Sequence, residues 1–442
     1  MLPCMLLQVT LFLGQTPAPD LRRASLPSIQ VLPEESAPPA AGPAKKPEPV
    51  QISAAVLQPA PPAPAATAAP APAAPAPPDR WLLMKALQGT WEGALLDENR
   101  LAIYGWTDMA FDASTDHASN LPMGFNYRAN DFELQQNWLR VERPVVTTGT
   151  SEPTFGFRSD TILPGTDYRF TVARGLFSGQ LTGNNGQPNV YGIDPVQFYG
   201  EAYIPTLARG TDIKVGRMFC QYGAESIDAP SNQLASHSYN FIYDPFTQTG
   251  IMATTQLTLA WSVQVGAILG PDAFFDPAAS GYSMFSVKWA PPGGRDSVLI
   301  SGLFGSGRFN VARDFNNPNI LDLVYVHTFN PRLTYTLDAL AGYETNVPDI
   351  GTATWWATVH YLTYQFTPRL WGTARLEFFD DISGNRTGFP GLYTAFTAGV
   401  NFRPYKSVIF RPELRYDYND ESRPFEGKHD LFTATADVIL RW

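Results

Sequence analysis

Apolar and polar residues alternate strictly in the C-terminal part of the chain. Residues 430–442 place an apolar side chain at almost every second position, and residues 407–418 and 369–380 do the same. Because successive side chains of a strand point to opposite faces, each segment has one apolar and one charged face. The segments run to roughly ten residues with aromatics near their ends, as tilted membrane strands do. The pattern therefore predicts a transmembrane antiparallel β-barrel, with lipid outside and water inside.

The same alternation, followed from residue 101 onward, predicts a barrel of about 16 strands, within a range of roughly 14 to 18. The predicted strands lie near 101–111, 132–142, 154–163, 196–204, 211–219, 249–258, 262–270, 281–289, 296–305, 319–328, 333–344, 354–366, 369–380, 392–402, 407–418 and 430–442.

The connections between these strands alternate in length from residue 205 to the end. The short connections are 205–210, 259–261, 290–295, 329–332, 367–368 and 403–406. The long connections are 220–248, 271–280, 306–318, 345–353, 381–391 and 419–429. A membrane barrel has tight periplasmic turns and longer external loops, whereas a soluble sandwich predicts no such alternation. An even strand number also places both termini in the periplasm.

Residues before the barrel differ in composition. Residues 1–19 include an apolar run that predicts a weak export signal, since no Lys or Arg precedes it. Residues 20–80 are rich in Pro and Ala, which predicts a disordered, extended periplasmic spacer, and a contact with cell-wall material is left open. Residues 81–100 are expected to form a lead-in with a short helix, and residues 101–442 the barrel. No run of 18 apolar residues predicts a transmembrane helix.

Charge and chemistry narrow the function. The net charge is −10, and residues 1–80 are balanced, so the acidic excess lies in the barrel. This argues against nucleic acid and mildly favours cations. The five histidines show no metal-ligand spacing, and Ser236-His237-Ser238 has no identifiable carboxylate partner or oxyanion loop. We expect no enzyme activity, no metal and no cofactor, with an outer-membrane lipid hydrolase as a remote alternative.

Residues 211–250 resemble the outer-membrane β-barrel porins of diderm bacteria. The similarity runs through the segments 214–218, 222–225, 236–239 and 245–250, and it extends over roughly 81–442. The motif residues are Gly216, Arg217, Gly223, Glu225, Ser236, Ser238, Pro245, Phe246, Thr249 and Gly250.

The resemblance implies passive diffusion of ions or small hydrophilic solutes through the bacterial outer membrane. It also implies a homotrimer surrounded by outer-membrane lipid. The connection 220–248, the third external loop, is then expected to fold into the lumen, with Glu225, Asp228 and His237 at the narrowest point. The alternative is a loop that only caps the barrel, with Glu225 paired to Arg217. A different alternative is a structural or adhesive barrel with a blocked lumen.

Charged residues on the inward faces are the candidates for lining the pore and setting its selectivity. The alternative is that they pair with one another and only hydrate the wall. These residues are Arg158, Asp160, Glu201, Arg375, Glu377, Arg411, Glu413, Arg415 and Asp417. Pro412 lies among them and cannot donate a ladder hydrogen bond, so a bulge or strand end is expected there.

Overall fold

The computed structural model describes residues 80–277, 279–305 and 318–442, in which sixteen antiparallel strands close into one barrel. This confirms the predicted architecture and strand number. The strands are β1 Ala102–Ser114, β2 Asp131–Arg143, β3 Thr154–Gly165, β4 Gly192–Ile204, β5 Thr211–Phe219, β6 Thr247–Gln256, β7 Trp261–Pro271, β8 Tyr282–Trp289, β9 Asp296–Gly305, β10 Asn319–Asn330, β11 Leu333–Val347, β12 Gly351–Thr367, β13 Leu370–Asp381, β14 Gly391–Tyr405, β15 Val408–Asn419 and β16 Asp430–Arg441. Each strand pairs with its neighbours in chain order, and β16 pairs with β1 to close the ring.

Alternating burial along the strands shows which face is which. On β15, Leu414 and Tyr416 are exposed, whereas Arg415 and Asp417 between and after them are almost fully buried. The exposed apolar face is the one that meets lipid, and the buried charged face lines the interior.

Pro412 does not end or bulge β15. The strand runs from Val408 to Asn419, and its register to β14 is the same at Glu413 as at Phe410. The register to β16 is also unbroken through the pair Pro412–Ala436. The prediction of a bulge or strand end was wrong, because the barrel tolerates the missing proline donor without changing the pairing.

A bulge occurs instead in β4. Asp160 of β3 pairs with Gln197 but Ile162 pairs with Asp194, so β4 carries one extra residue. Strict alternation would put Val196 on the same face as the exposed Phe198, but Val196 is fully buried beside Ile162. The bulge shifts the phase of the strand at this point.

Short turns gather at one end of the barrel and longer connections at the other. The connection 348–350 is an exception, since β11 and β12 extend further than predicted and leave three residues in place of the expected 345–353. The longer strands extend the wall of the barrel here at the expense of the loop.

Four short helices and two 3₁₀ turns complete the described residues. The helices are α1 Leu82–Ala86, α2 Trp91–Glu98, α3 Tyr168–Thr171 and α4 Tyr239–Tyr243, and the 3₁₀ turns are Ser178–Leu181 and Ala229–Ser231. A two-stranded parallel pair joins Arg174–Gly175 to Ala273–Phe274. None of the described helices is long and apolar enough to cross a membrane. The predicted export signal at 1–19 and all but the last residue of the predicted spacer at 20–80 lie outside the described residues.

Candidate pore constriction

The long connection between β5 and β6, residues 220–246, folds into the barrel. Near its start, the backbone N–H of Gly223 donates to Asp322 on β10 at 3.0 Å. The backbone N–H of Ala224 donates to Asp338 on β11 at 2.8 Å. Both carboxylates are buried in the wall. The connection therefore leaves β5 and crosses the interior towards strands five and six positions further round.

The middle of this inward loop is bonded to the opposite part of the wall. Arg140 on β2 donates to the Asp228 carboxylate at 2.9 Å, and Gln136 on the same strand donates to the Ile227 carbonyl at 2.8 Å. Strands β2 and β10 are eight places apart in a ring of sixteen, so they face each other across the barrel. A loop bonded to both strands spans the lumen.

A third group of hydrogen bonds ties the loop to β13 and β15. Arg375 donates to the Ser236 carbonyl at 2.7 Å, and Arg411 donates to the Leu234 carbonyl at 2.8 Å. Glu413 accepts from the backbone N–H of Ala235 at 2.7 Å. Charged wall residues thus satisfy the backbone of a loop with little secondary structure, as burial of that backbone requires.

Glu225 is the centre of the loop's own polar contacts. Its carboxylate lies 2.6 Å from His237 Nδ1 and accepts from the backbone N–H of Ser238 at 3.0 Å. The Tyr361 hydroxyl on β12 also donates to it, and the Arg375 guanidinium lies 3.3 Å away. Two residues predicted for the narrowest point, Glu225 and His237, are therefore in direct contact inside the barrel.

The surroundings lower the pKa of both Glu225 and His237. Burial raises the pKa of Glu225, but the hydrogen bond from His237 and the charge of Arg375 outweigh it and hold this pKa at about 2. Burial lowers the pKa of His237, against the opposing effect of Glu225. Glu225 therefore carries its negative charge at neutral pH next to the fixed positive charge of Arg375.

Asp228, the third predicted constriction residue, lies apart from this pair. It contacts Arg140, which also binds Asp160 on β3 at 2.6 Å. Burial raises the pKa of Asp228, and Arg140 opposes that rise. Asp228 thus belongs to a separate ion cluster on the β2–β3 side of the lumen.

The alternative pairing of Glu225 with Arg217 was wrong. Arg217 is fully buried and forms its ion pair with Asp194 at 2.6 Å. It also donates to the Thr171 carbonyl at 2.7 Å. The loop carries Glu225 away from β5 and into the interior, so the two residues do not meet.

The nine predicted inward charges form two groups. Around the loop on β13 and β15, Arg375 lies 3.2 Å from Glu377 and Arg415 lies 2.7 Å from Asp417. This loop-side group is almost fully buried and comprises Arg375, Glu377, Arg411, Glu413, Arg415 and Asp417. The other group is on β3 and β4 and comprises Arg158, Asp160 and Glu201.

Within the second group, Arg158 and Glu201 lie nearer to the short turns than Asp160 does, and they are better exposed. Arg158 donates to Glu142 at 2.6 Å, and Glu201 lies 3.4 Å from Lys214. The Arg158 side chain is 32% exposed, against 1% for Arg375. That all nine residues line a water path stays a prediction.

Several interior residues were not among the predicted site residues. Arg140 was missed because the phase of 132–142 is ambiguous, and the register of β1 to β2 indeed shifts between Asp108 and Met109. Asp437 was on the charged face of its strand, and it accepts from Arg411 at 3.0 Å. For both residues, the sequence could have indicated a position on the inward face. It could not show which charged residue each of them pairs with.

The motif residues frame the two ends of the inward loop. Gly216 on β5 has φ +139°, and a Cβ there would lie 2.2 Å from the Phe198 carbonyl oxygen. The Ser238 hydroxyl caps α4 by accepting from the Phe241 N–H at 3.2 Å. After α4, the N–H of the buried Phe246 donates to Asp272 at 3.0 Å. The remaining motif positions Pro245, Thr249 and Gly250 lie at the start of β6 and just before it.

The serines beside His237 are engaged elsewhere. The Ser236 hydroxyl accepts from Arg375 at 3.0 Å, and Ser238 caps α4. The His237 ring stacks on Phe241 with centroids 4.2 Å apart. These three residues therefore serve to hold the loop. Among the described residues, no group of three or more His, Cys, Asp or Glu side chains could hold a metal ion.

Comparison with known proteins gives one family and a set of similar folds. The model of the family described as "Putative beta-barrel porin-2, OmpL-like" matches residues 100–442. The outer membrane channel DcaP of Acinetobacter baumannii is 12% identical with a TM-score of 0.50, over 77% of this chain and 97% of that one. An anion-selective porin from Comamonas acidovorans is 10% identical with a TM-score of 0.48, over 77% and 99%. OmpT of Vibrio cholerae in a trimer form is 9% identical with a TM-score of 0.49, over 77% and 99%. No curated protein sequence matches the chain.

The family match covers the whole barrel, from just before β1 to the last residue. It agrees with the closed sixteen-strand ring and its apolar outer face. The chain belongs to this family of outer-membrane β-barrel porins.

Proposed function

We propose that the protein passes ions or small hydrophilic solutes passively, and that the inward loop 220–246 forms the narrowest part of the path. One observation carries this proposal. The loop is hydrogen-bonded to β2 on one side of the barrel and to β10 on the opposite side. A segment that spans the lumen at that level limits the free cross-section, whatever solute passes.

Charge at this level is arranged in fixed pairs. Arg411 and Arg415 on β15 are held by Asp437 and Asp417, and Arg375 stands between Glu225 and Glu377. Rings of fixed charge beside a narrow path set ion selectivity. Because the barrel has an excess of acids over bases, we expect a mild preference for cations.

Single-channel conductance in planar bilayers tests the role of the loop. Deletion of 226–236 removes the residues that contact β2, together with those that contact Arg411, Glu413 and the Ser236 partner Arg375, but it keeps Glu225 and His237. We expect larger conductance steps than in the unmodified protein, because the part of the loop that reaches β2 across the lumen is gone. Reversal potential in a salt gradient gives the ion preference from the same recordings.

A matched deletion separates loss of constriction from a general effect of shortening a loop. Residues 184–187 are exposed and lie in the connection between β3 and β4, so removing them should leave conductance unchanged. Equal conductance of the 226–236 deletion and the unmodified protein would contradict the constriction. Absence of conductance in both would favour a barrel with a blocked lumen, and ester release from phospholipid would favour the hydrolase.

The homotrimer remains a proposal drawn from the family resemblance. Light scattering of the detergent-solubilised protein, corrected for bound detergent, should give three times the mass of one chain. A mass equal to that of one chain would contradict the trimer but not the proposed pore.

A further inference from the structure

Three successive short turns repeat one sequence unit. Each has a phenylalanine, one further residue and a proline. A basic residue follows the proline, either directly or after one more residue. The units are Phe329-Asn330-Pro331-Arg332 between β10 and β11, Phe366-Thr367-Pro368-Arg369 between β12 and β13, and Phe402-Arg403-Pro404-Tyr405-Lys406 between β14 and β15. Since the strands follow chain order around the barrel, these turns are neighbours along the same rim.

The phenylalanine of each unit lies on the outer surface. Phe329, Phe366 and Phe402 are 48%, 52% and 40% exposed. Phe366 packs edge-on against Tyr364 on the same outer face, with ring centroids 5.0 Å apart. Aromatic side chains at the end of a membrane strand sit at the boundary between acyl chains and head groups. The units therefore mark the level at which the barrel leaves the hydrocarbon.

The cations of the first two units are held next to that boundary by tight turns. The Asn330 side chain accepts from the backbone N–H of Arg332 at 2.9 Å, and the Thr367 hydroxyl accepts from that of Arg369 at 3.2 Å. Both arginine side chains are exposed. Within the described part of the chain neither guanidinium forms an ion pair. Each of these two turns thus presents a positive charge that no described residue pairs with.

The short connections that follow β4 share this sign of charge, whereas the connection 144–153 on the same rim contains Glu152 and no base. The connections 205–210, 257–260, 290–295, 331–332, 368–369 and 406–407 contain no Asp or Glu. They contain Arg209, Arg295, Arg332, Arg369 and Lys406. The chain as a whole carries a net charge of −10, so a basic rim runs against the general balance. Such a rim attracts anions to this end of the barrel.

We propose that Arg332 and Arg369 bind the phosphate groups of anionic phospholipids in the periplasmic leaflet, while Phe329 and Phe366 pack against the acyl chains of the same lipids. The guanidinium fork matches phosphate oxygens in a bidentate geometry. The partner is the lipid around the barrel, because in each turn an exposed arginine follows an exposed outward phenylalanine by three residues. Arg332 and Arg369 lie two strands apart, about 10 Å, so each can hold its own head group. The proposal does not depend on solute passage through the lumen.

Native mass spectrometry of the full-length protein in detergent, titrated with phosphatidylglycerol or phosphatidylcholine, tests this site. We expect tighter binding of phosphatidylglycerol, and we expect Arg332→Gln/Arg369→Gln to weaken it about twenty-five-fold, which is about fivefold for each basic residue. Arg332→Lys/Arg369→Lys keeps the charge and should retain most of the preference. Inorganic phosphate at millimolar concentration should not displace the lipid, because it lacks the acyl chains.

The double variant Arg128→Gln/Arg423→Gln is the charge-matched control, since both residues lie on the long-loop side. Circular dichroism of each variant verifies the barrel before titration. Unchanged phosphatidylglycerol affinity in Arg332→Gln/Arg369→Gln would overturn the proposal, as would an equal loss in the control. Displacement by inorganic phosphate would show an anion site without lipid specificity and would overturn it too.

Discussion

The charged residues around the inward loop and those near the short turns both face the interior of the barrel, but their side chains differ in exposure. At the loop, the side chains of Arg375, Glu377 and Arg415 are at most 1% exposed, and each contacts backbone of the loop or another charge. Near the short turns, Arg158 and Lys214 are 32% and 24% exposed. The first group is part of the packed structure, whereas the second is in contact with water.

The difference separates two roles that inward charge can have in a barrel. A buried charge pair holds backbone in place, and its removal leaves an uncompensated partner. A partly exposed pair is screened by water and contributes little to stability, but it acts on ions that pass. The loop-side group should therefore determine structure and pore size, and the turn-side group should determine ion preference.

Arg375→Met should have the largest effect on stability. Arg375 lies between Glu225 and Glu377 and donates to the Ser236 carbonyl, so its loss removes the arginine that faces Glu225 and leaves Glu377 with Arg415 alone. Breaking a buried pair in this way costs about 3–5 kcal/mol. Urea unfolding in lipid vesicles, followed by tryptophan fluorescence, measures the change in free energy of unfolding.

Arg158→Met is the matched control on the turn side. It removes the same functional group from a partly exposed pair with Glu142. A cost as large as that of Arg375→Met would show that exposure does not separate the two groups.

Acid should weaken the loop side through Glu225. The contacts of the carboxylate with His237 and Arg375 place its pKa at about 2 in the folded protein, below the ordinary value of 4.5. A lowered folded pKa stabilises the fold above 4.5, and this contribution is lost as the pH falls from 4.5 towards 2. The contribution at neutral pH is about 3 kcal/mol.

Unfolding free energies between neutral pH and pH about 2 test this effect in the unmodified protein and in Glu225→Gln. The variant should be less stable at neutral pH and should show a flatter profile below 4.5. His237 has a lowered pKa as well, so some loss begins below 6.5 in the unmodified protein. If the unfolding free energies of the two proteins fell in parallel below pH about 4.5, Glu225 would not be the cause of the acid effect.

The wall of the barrel could be predicted from the sequence because lipid imposes a local rule. Every second residue of a membrane strand meets acyl chains, so the alternation is visible in residues next to one another, as in β15. The rule fails where pairing adds a residue, as at Val196 in β4, because a bulge depends on the neighbouring strand.

The arrangement of the loop could not be predicted in the same way. The partners of Glu225 include Tyr361 and Arg375, which are 136 and 150 positions away. Sequence resemblance drew attention to the residues of the loop, and the length of the connection suggested a functional role. The contacts between loop and wall residues depend on closure of the barrel. No local sequence pattern indicates them.

Arg158→Gln should have the smallest effect on stability and a clear effect on ion preference. The pair with Glu142 is partly exposed, so its loss should cost less than about 1 kcal/mol. The variant leaves Glu142 and Glu201 as acids facing the turn end of the lumen with one fewer base. Reversal potential in a potassium chloride gradient should move towards greater cation preference, with conductance little changed because the loop is untouched. A reversal potential equal to that of the unmodified protein would mean that ions are selected at the loop itself, and the two groups of charge would then share one role.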